Sequence, residues 1–155
     1  MATITESIDV EVPVRTAYNQ WTQFEEFPEF MDGVQSVDQI DDTHLHWVAD
    51  AGGKQHAWTA EITEQRPDER VAWRALDGHG NAGVVTFHRR GEDGTRVTVQ
   101  MEHATEGLFE QIGSALGMDS RRVKGDLERF KDLIESRGGE TGAWRGEVDQ
   151  GERVR

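Results

Sequence analysis

The start of the chain alternates between apolar and polar residues. Over residues 4–12 the odd positions are polar, and the even positions carry Ile4, Ile8, Val10 and Val12, with Glu6 as the one exception. A period of two predicts a strand with one buried face. Pro13 suits the first turn of a helix, and the next apolar residues recur at helical spacing up to Trp21. Pro28 then permits only a short second helix, which ends at Gly33.

From residue 34 to 105, turn signals recur about every ten residues, a spacing typical of an antiparallel meander. They are DDT at 41, GG at 52, PDE at 67, DGHGN at 77 and EDG at 92. The two-glycine turn at 52 predicts a tight hairpin. The pairs that follow are Ala51 with Lys54, Trp47 with Trp58, and Leu45 with Ala60.

The EDG turn predicts a second hairpin, with a three-residue loop and Gly94 in the left-handed conformation. The resulting pairs are Phe87 with Val99, Val85 with Met101, and Gly83 with His103. In this register the apolar residues share one face. The other face is polar and is expected to meet water, so the sheet has one wet side.

After Gly107 the apolar period changes to that of a helix. The apolar positions are Leu108, Ile112, Leu116, Val123, Leu127, Phe130 and Ile134. They predict a long amphipathic helix, interrupted near Gly117, that covers the sheet. Residues 138–155 have no apolar period, so we expect a domain over residues 1–137 and a mostly flexible tail. The alternative is that Trp144 docks on the body.

Composition excludes several classes of function. The net charge of −13 repels phosphate backbones and anionic lipid, and the pairs Arg89/Arg90 and Arg121/Arg122 are expected to be solvated. Without cysteine, thiolate metal sites and iron–sulfur clusters are excluded. No apolar run is long enough to span a bilayer and the start lacks a leader pattern. We therefore expect a cytoplasmic protein without nucleic acid, stable membrane insertion or cofactor, and with any protein partner unknown.

The order of elements is strand, two short helices, six strands and a long helix, over residues 3–137. This order resembles the START-like (SRPBCC) superfamily, most closely its bacterial polyketide cyclase/dehydrase branch. The segments that carry the resemblance are IDVEVPVRTAYNQWTQFEEFPEFMDGVQSV, WTAEITEQRPDERVAW and VKGDLERFKDLIESR. The resemblance implies an α+β helix-grip fold, in which a curved seven-stranded antiparallel sheet surrounds the C-terminal helix. It also implies a cavity between them, with the short helices at its mouth.

The expected cavity wall is rich in aromatic side chains. Its candidate ligand-binding residues are Phe27, Phe30, Trp47, Trp58, Trp73, Phe87 and Met101, with Ile112 and Leu116 from the covering helix. The alternative for each is ordinary core packing. Asn81 and His103 are the candidate polar contacts, and His103 and Asp77 are the weak candidates for acid–base catalysis.

Other chemistry has little support in the sequence. His44 and His46 share a strand face with Glu61 nearby, but that face is the solvated one, so no metal site is predicted. No cysteine or GxSxG nucleophile is present. In aromatase/cyclases of the resembled superfamily, a middle strand carries a tryptophan and, further along, an arginine. Here Trp58 matches the tryptophan, but Ile62 occupies the position of the arginine. Phe27 stands where those proteins have a lid tryptophan.

The leading hypothesis is therefore a module that binds a small, largely apolar or aromatic ligand, lipid-like or polyketide-like, between sheet and helix. The first alternative is a polyketide cyclase, aromatase or dehydratase that uses the same cavity. The second is a protein-interaction module whose FEEFPEF segment and C-terminal tail meet a partner, which requires an exposed aromatic patch.

Overall fold

The structure is a computed structural model that describes residues 2–31, 33–51, 54–76, 82–103 and 120–155. Its helices are α1 (Val14–Trp21), a 3₁₀ helix (Phe24–Glu29) and α2 (Ser120–Arg137). The strands are β1 (Ala2–Val10), β2 (Val34–Asp41), β3 (His44–Ala51), β4 (Lys54–Arg66), β5 (Arg70–Ala75), β6 (Ala82–Arg89), β7 (Thr95–His103), β8 (Val148–Asp149) and β9 (Glu152–Arg153).

Seven strands form one antiparallel sheet in the order β1-β7-β6-β5-β4-β3-β2. The meander predicted from the turn spacing accounts for β2 to β7, and β1 closes the far edge against β7. Two short strands that the sequence did not predict bring the sheet to nine: β8 pairs with β4, and β9 pairs with β8. The α+β class and the position of the two short helices are as predicted.

The hairpin between β3 and β4 has the predicted register. Trp47 pairs with Trp58 and Leu45 with Ala60. A two-residue turn leaves little freedom in how its flanking strands align, which is why two glycines sufficed for the prediction.

The predicted register of the β6–β7 hairpin is wrong by two residues. Phe87 pairs with Val97 rather than Val99, and Gly83 pairs with Met101 rather than His103. The loop spans five residues, 90–94, with the Arg90 amide bonded to the Gly94 carbonyl at 2.8 Å, and Gly91 rather than Gly94 has the positive φ of 79°. Because the error is an even number, every side chain keeps its predicted face.

Helix α2 lies across the concave face of the sheet and buries one stripe. Its apolar residues Val123, Leu127, Phe130 and Ile134 are all buried. They recur at intervals of three and four, which places them on one side of the helix. The main core therefore lies between this stripe, α1 and the sheet.

The C-terminal segment packs on the body. Val148 in β8 pairs with Gln65 of β4 and is fully buried, and the Trp144 side chain packs against the main core. This arrangement corresponds to the alternative in which Trp144 docks. The expectation that residues 138–155 are mostly flexible is a statement about their motion, and it stays a prediction. Within the described part of the chain, no helix is long and apolar enough to cross a membrane.

Candidate functional site

An apolar cavity of about 140 Å³ lies between the sheet and α2. The strands reach it with alternate residues: Leu45, Trp47 and Ala49 from β3, Trp58, Ala60 and Ile62 from β4, Val71 and Trp73 from β5, and Val99 and Met101 from β7. This period of two follows from the pleat of a sheet with one face turned inward. The cavity is therefore a product of strand register, with α2 and the 3₁₀ helix closing it.

Two tryptophans form a flat part of the wall. The rings of Trp47 and Trp58 stack at 5.8 Å with only 6° between their planes, as directly opposed residues of a hairpin can. Phe27 also contacts Trp47, with ring centroids 5.7 Å apart. The hypothesis that these two tryptophans border open space rather than being packed all round agrees with this geometry; ligand binding by them stays a prediction.

The third predicted wall tryptophan, Trp73, sits over a glycine. It pairs with Gly83 across β5 and β6, and a β-carbon on Gly83 would lie 2.9 Å from Trp73 Cζ2. The Trp73 ring therefore occupies the space beside Gly83 that was expected to accommodate His103. Any side chain at position 83 would displace the indole, so the glycine is required for this close approach.

The aromatic residues of the FEEFPEF segment divide between wall and core. Phe24 and Phe27 line the cavity, as does Met31, whereas Phe30 does not. Phe30 instead packs between Trp21 and Phe130, with ring centroids 5.8 and 5.2 Å away.

All three phenylalanines are at most 4% exposed, so an exposed aromatic patch for a protein partner is not present on this segment. Phe87, also predicted as wall, lies outside the lining and packs edge-on against Tyr18 at 5.4 Å.

Two charged residues line the cavity among the described residues, and sequence reasoning missed both. Arg122 and Asp126 lie one turn apart on α2. Each precedes a stripe residue, Val123 or Leu127, so helical phase places the two at the edge of the buried face. That phase was the available signal, but the Arg121/Arg122 pair was interpreted only as a solvated doublet.

The remaining sequence candidates cannot be placed at the cavity. Asp77, Asn81, Ile112 and Leu116 lie outside the described residues. The backbone of His103 pairs with Ala2 at the end of β7, and its side chain is likewise not described. Their roles as ligand contacts or catalysts stay predictions.

His44, on the wet face, lies near two carboxylates. His44 pairs with Glu61 as expected, but Nε2 is 3.8 Å from the carboxylate, and Nδ1 lies 2.9 Å from Asp41. No group of three metal-ligating side chains occurs within the described ranges.

A second polar cluster lies away from the cavity, under the C-terminal segment. The Arg145 guanidinium donates to Asn19 Oδ1 at 2.7 Å and to Asp68 Oδ2 at 2.8 Å, and lies 5.7 Å from the Tyr18 ring. Burial raises the pKa of Tyr18 to about 12, and the neighbouring Gln65 side chain and, to a smaller extent, the charge of Arg145 oppose that rise. Tyr18 Oη accepts or donates no hydrogen bond within the described structure.

Comparison with known proteins now decides the family. The sequence model of a family described as polyketide cyclase/dehydrase and lipid transport matches residues 10–132. The chain belongs to this family. A 17.2 kDa protein of Streptomyces lincolnensis from the melC2-rnhH intergenic region, described as uncharacterised, is 55% identical over 149 residues, covering 96% of this chain and 99% of that protein.

Solved structures of the superfamily share the fold. A START superfamily protein from Mycobacterium smegmatis has a TM-score of 0.70 at 10% identity, covering 86% of this chain and 97% of that one. The Zhui aromatase/cyclase from Streptomyces sp. R1128 has a TM-score of 0.71 at 13% identity, covering 92% and 99%. These comparisons confirm the predicted superfamily, branch and helix-grip fold. Membership of the polyketide cyclase/dehydrase and lipid transport family supports a ligand-binding or cyclase role.

Proposed function

We propose that this protein binds a small, largely apolar ligand with one or two rings in the cavity between sheet and α2. The observation that carries the proposal is the stacked Trp47–Trp58 pair bordering a cavity whose described wall is almost entirely apolar. Flat indole faces favour flat ligands, because offset stacking adds to the burial of area.

The size of the cavity limits the ligand. Its volume of about 140 Å³ is similar to an engineered apolar cavity of roughly 150 Å³ that takes up benzene. A ring system that buries about 200 Å², the area of one aromatic side chain, gains about 5 kcal/mol at roughly 25 cal/mol per Å². Apolar contact alone therefore supports dissociation constants of about 0.1–1 mM, and tighter binding requires a polar anchor.

The proposal is tested by calorimetric titration with 2-acetylnaphthalene, a neutral two-ring probe. Ala60 is 1% exposed and lines the cavity, so Ala60→Leu places three extra carbons in the ligand's volume. Ala57 is exposed on the opposite face of the same strand, which makes Ala57→Leu the matched control. We expect Ala60→Leu to weaken binding by about tenfold or more and Ala57→Leu to leave it within about twofold.

Native mass spectrometry of freshly purified protein gives a second readout. A defined extra mass that disappears on denaturation identifies the natural ligand or its class. Absence of any titration by either 2-acetylnaphthalene or the one-ring probe benzene, or equal effects of the two leucine variants, would refute binding in this cavity.

Polyketide cyclisation or dehydration is the second candidate, favoured by the family and by the likeness to an aromatase/cyclase. The described wall gives it limited chemistry, because Ile62 stands at the place of the expected arginine and Asp126 is the one carboxylate. Incubation with a poly-β-ketone mimic distinguishes the two functions. A cyclised product that disappears in His103→Phe favours the enzyme, whereas binding without product favours the carrier.

A further inference from the structure

One tryptophan of the cavity wall has a hydrogen-bond donor without an acceptor. The indole nitrogen of Trp47, Nε1, is buried and makes no hydrogen bond within the described part of the chain. The chain has five tryptophans, all of them described, and this is the one buried indole nitrogen among them that lacks a partner. Because Trp47 lines the cavity, the unpaired donor belongs to a residue of the candidate site.

The neighbours of Trp47 explain why its N–H lacks an acceptor. Trp58 stacks on it at 5.8 Å, and the Phe27 ring lies 5.7 Å away at an angle of 49°. On the other side of β3, the residue that pairs with Trp47 is Val37, which is also buried. None of these three side chains contains an oxygen, so the surroundings of the indole supply carbon contacts rather than acceptors.

A buried donor in this situation restricts what can complete it. In folded proteins the large majority of buried side-chain polar atoms are paired with protein or with ordered water, because an unpaired group has lost water without regaining a hydrogen bond. The indole N–H is a donor only, so its partner must be an acceptor. A charged acceptor would lose far more hydration in this apolar wall than one N–H returns, which favours a neutral oxygen.

We propose that Trp47 Nε1 is the polar anchor of the cavity and donates a hydrogen bond to a neutral acceptor oxygen, such as a ketone, on the ring system of the ligand. This inference rests on the proposed function and specifies its ligand class. Trp47 is half-buried and borders the cavity, so a small turn of its ring into that space brings the nitrogen within reach of the ligand. A single donor in an apolar wall then fixes the orientation of the ligand.

The test compares acetophenone with α-methylstyrene, which share one ring and nearly the same shape but carry C=O and C=CH₂ respectively. One ring suits a cavity of about 140 Å³. Both affinities are measured by nuclear magnetic resonance titration, in which the Trp47 indole proton reports directly on the bond. Its signal is assigned through proton contacts with the Phe27 and Trp58 rings, so this readout needs no variant.

Two variants isolate the N–H from the ring that carries it. Trp47→Phe removes the donor and keeps an aromatic side chain. Trp58→Phe is the matched control, because it removes the other indole of the same stack, whose nitrogen is not among the buried atoms without a partner. Each variant enlarges the cavity for both ligands, so the ratio of the two affinities is compared rather than either affinity alone. Thermal melting checks that both variants are folded.

We expect wild-type protein to bind the two ligands within about threefold of each other, because the hydrogen bond returns what the better hydrated ketone loses on leaving water. Trp47→Phe should weaken acetophenone by about tenfold relative to α-methylstyrene, and Trp58→Phe should change that ratio by less than about twofold. In wild-type protein the Trp47 indole proton should move further downfield with acetophenone than with α-methylstyrene.

Each contrary result has a distinct meaning. An unchanged ratio in Trp47→Phe, an equal change in Trp58→Phe, or equal movement of the indole proton with both ligands overturns the role of Trp47 as anchor. If both ligands still bind and Ala60→Leu weakens both, the cavity function stands without it. Binding of neither ligand overturns the proposed function, and this inference with it.

Discussion

The interior between sheet and α2 has two ends that use aromatic side chains in opposite ways. At one end Trp21, Phe30 and Phe130 contact one another with centroids 5.1–5.8 Å apart, and of these three only Trp21 also lines the cavity. At the other end Trp47 and Trp58 stack on each other and border open space. We call these the closed end and the open end.

The difference lies in which elements supply the rings. The closed end takes its rings from α1, the segment after the 3₁₀ helix and α2, so that rings of three elements meet and fill the space between them. The open end has two rings from adjacent strands, which stack on each other along the sheet. A similar supply of aromatic area thus gives a packed core in one place and a cavity in the other.

The largest expected effect compares two aliphatic residues of α2. Leu127 lines the cavity and Ile134 lies in the core away from it, and both are at most 1% exposed. We expect Ile134→Ala to lower the free energy of unfolding by about 4 kcal/mol and Leu127→Ala by about 2 kcal/mol, because Leu127 already lacks packing partners on its cavity side. Urea unfolding of both variants measures the difference, and equal losses would show that the two ends are equally packed.

Tyr18 gives the next largest effect, and it reports on burial beside the closed end. Its folded-state pKa of about 12 exceeds the ordinary value of 10.0 because burial disfavours the phenolate. The stabilising contribution is therefore complete below pH 10 and is lost as the pH rises through 12. By linkage this amounts to about 2–3 kcal/mol of unfolding free energy, measured by urea titration at several pH values.

Because Tyr18 is the single tyrosine, ultraviolet absorbance of phenolate follows this one group. The matched control is Tyr18→Phe, which should lack this part of the pH dependence while keeping the ring contacts. An absorbance midpoint near pH 10 in the folded protein would mean that the phenol is accessible to water.

Much of the fold was predictable because its signals are local. Alternation gave β1 and the meander, and the two glycines before Lys54 fixed the Trp47–Trp58 pair. The β6–β7 register failed because two glycines, Gly91 and Gly94, compete for the left-handed position, and their spacing decides the loop length. The sequence predicts a short glycine-containing hairpin loop, but it does not give the energy difference between the loop with Gly91 and the loop with Gly94 in the left-handed conformation.

The site was less predictable, because it depends on contacts between distant segments. Alternation identified Trp47, Trp58, Trp73 and Met101 as inward, but it gives no depth along a strand, so Phe87 was placed at the cavity instead of the closed end. Nothing periodic marks Trp144 or Val148, and Val148 is buried where it pairs with Gln65, in the part of β4 that extends beyond β3. Helical phase could have indicated Arg122, as the residue before a buried valine.

The smallest expected effect concerns the cluster under the C-terminal segment. Arg145 lies over Tyr18 and lowers the pKa of the phenol, in opposition to burial. Removing its charge in Arg145→Met should therefore raise the Tyr18 midpoint further, measured by the same absorbance titration.

Arg153→Met is the control for Arg145→Met, since Arg153 lies over Trp144 in the same segment, at 5.6 Å. If Arg145→Met instead lowers the Tyr18 midpoint, loss of the guanidinium must open the segment and admit water to the phenol. The sign of the change therefore distinguishes a charge effect from a covering effect. A rise would show that the segment stays closed without Arg145, held by Val148 and Trp144, and a fall would make Arg145 the contact that keeps the interior beneath it dry.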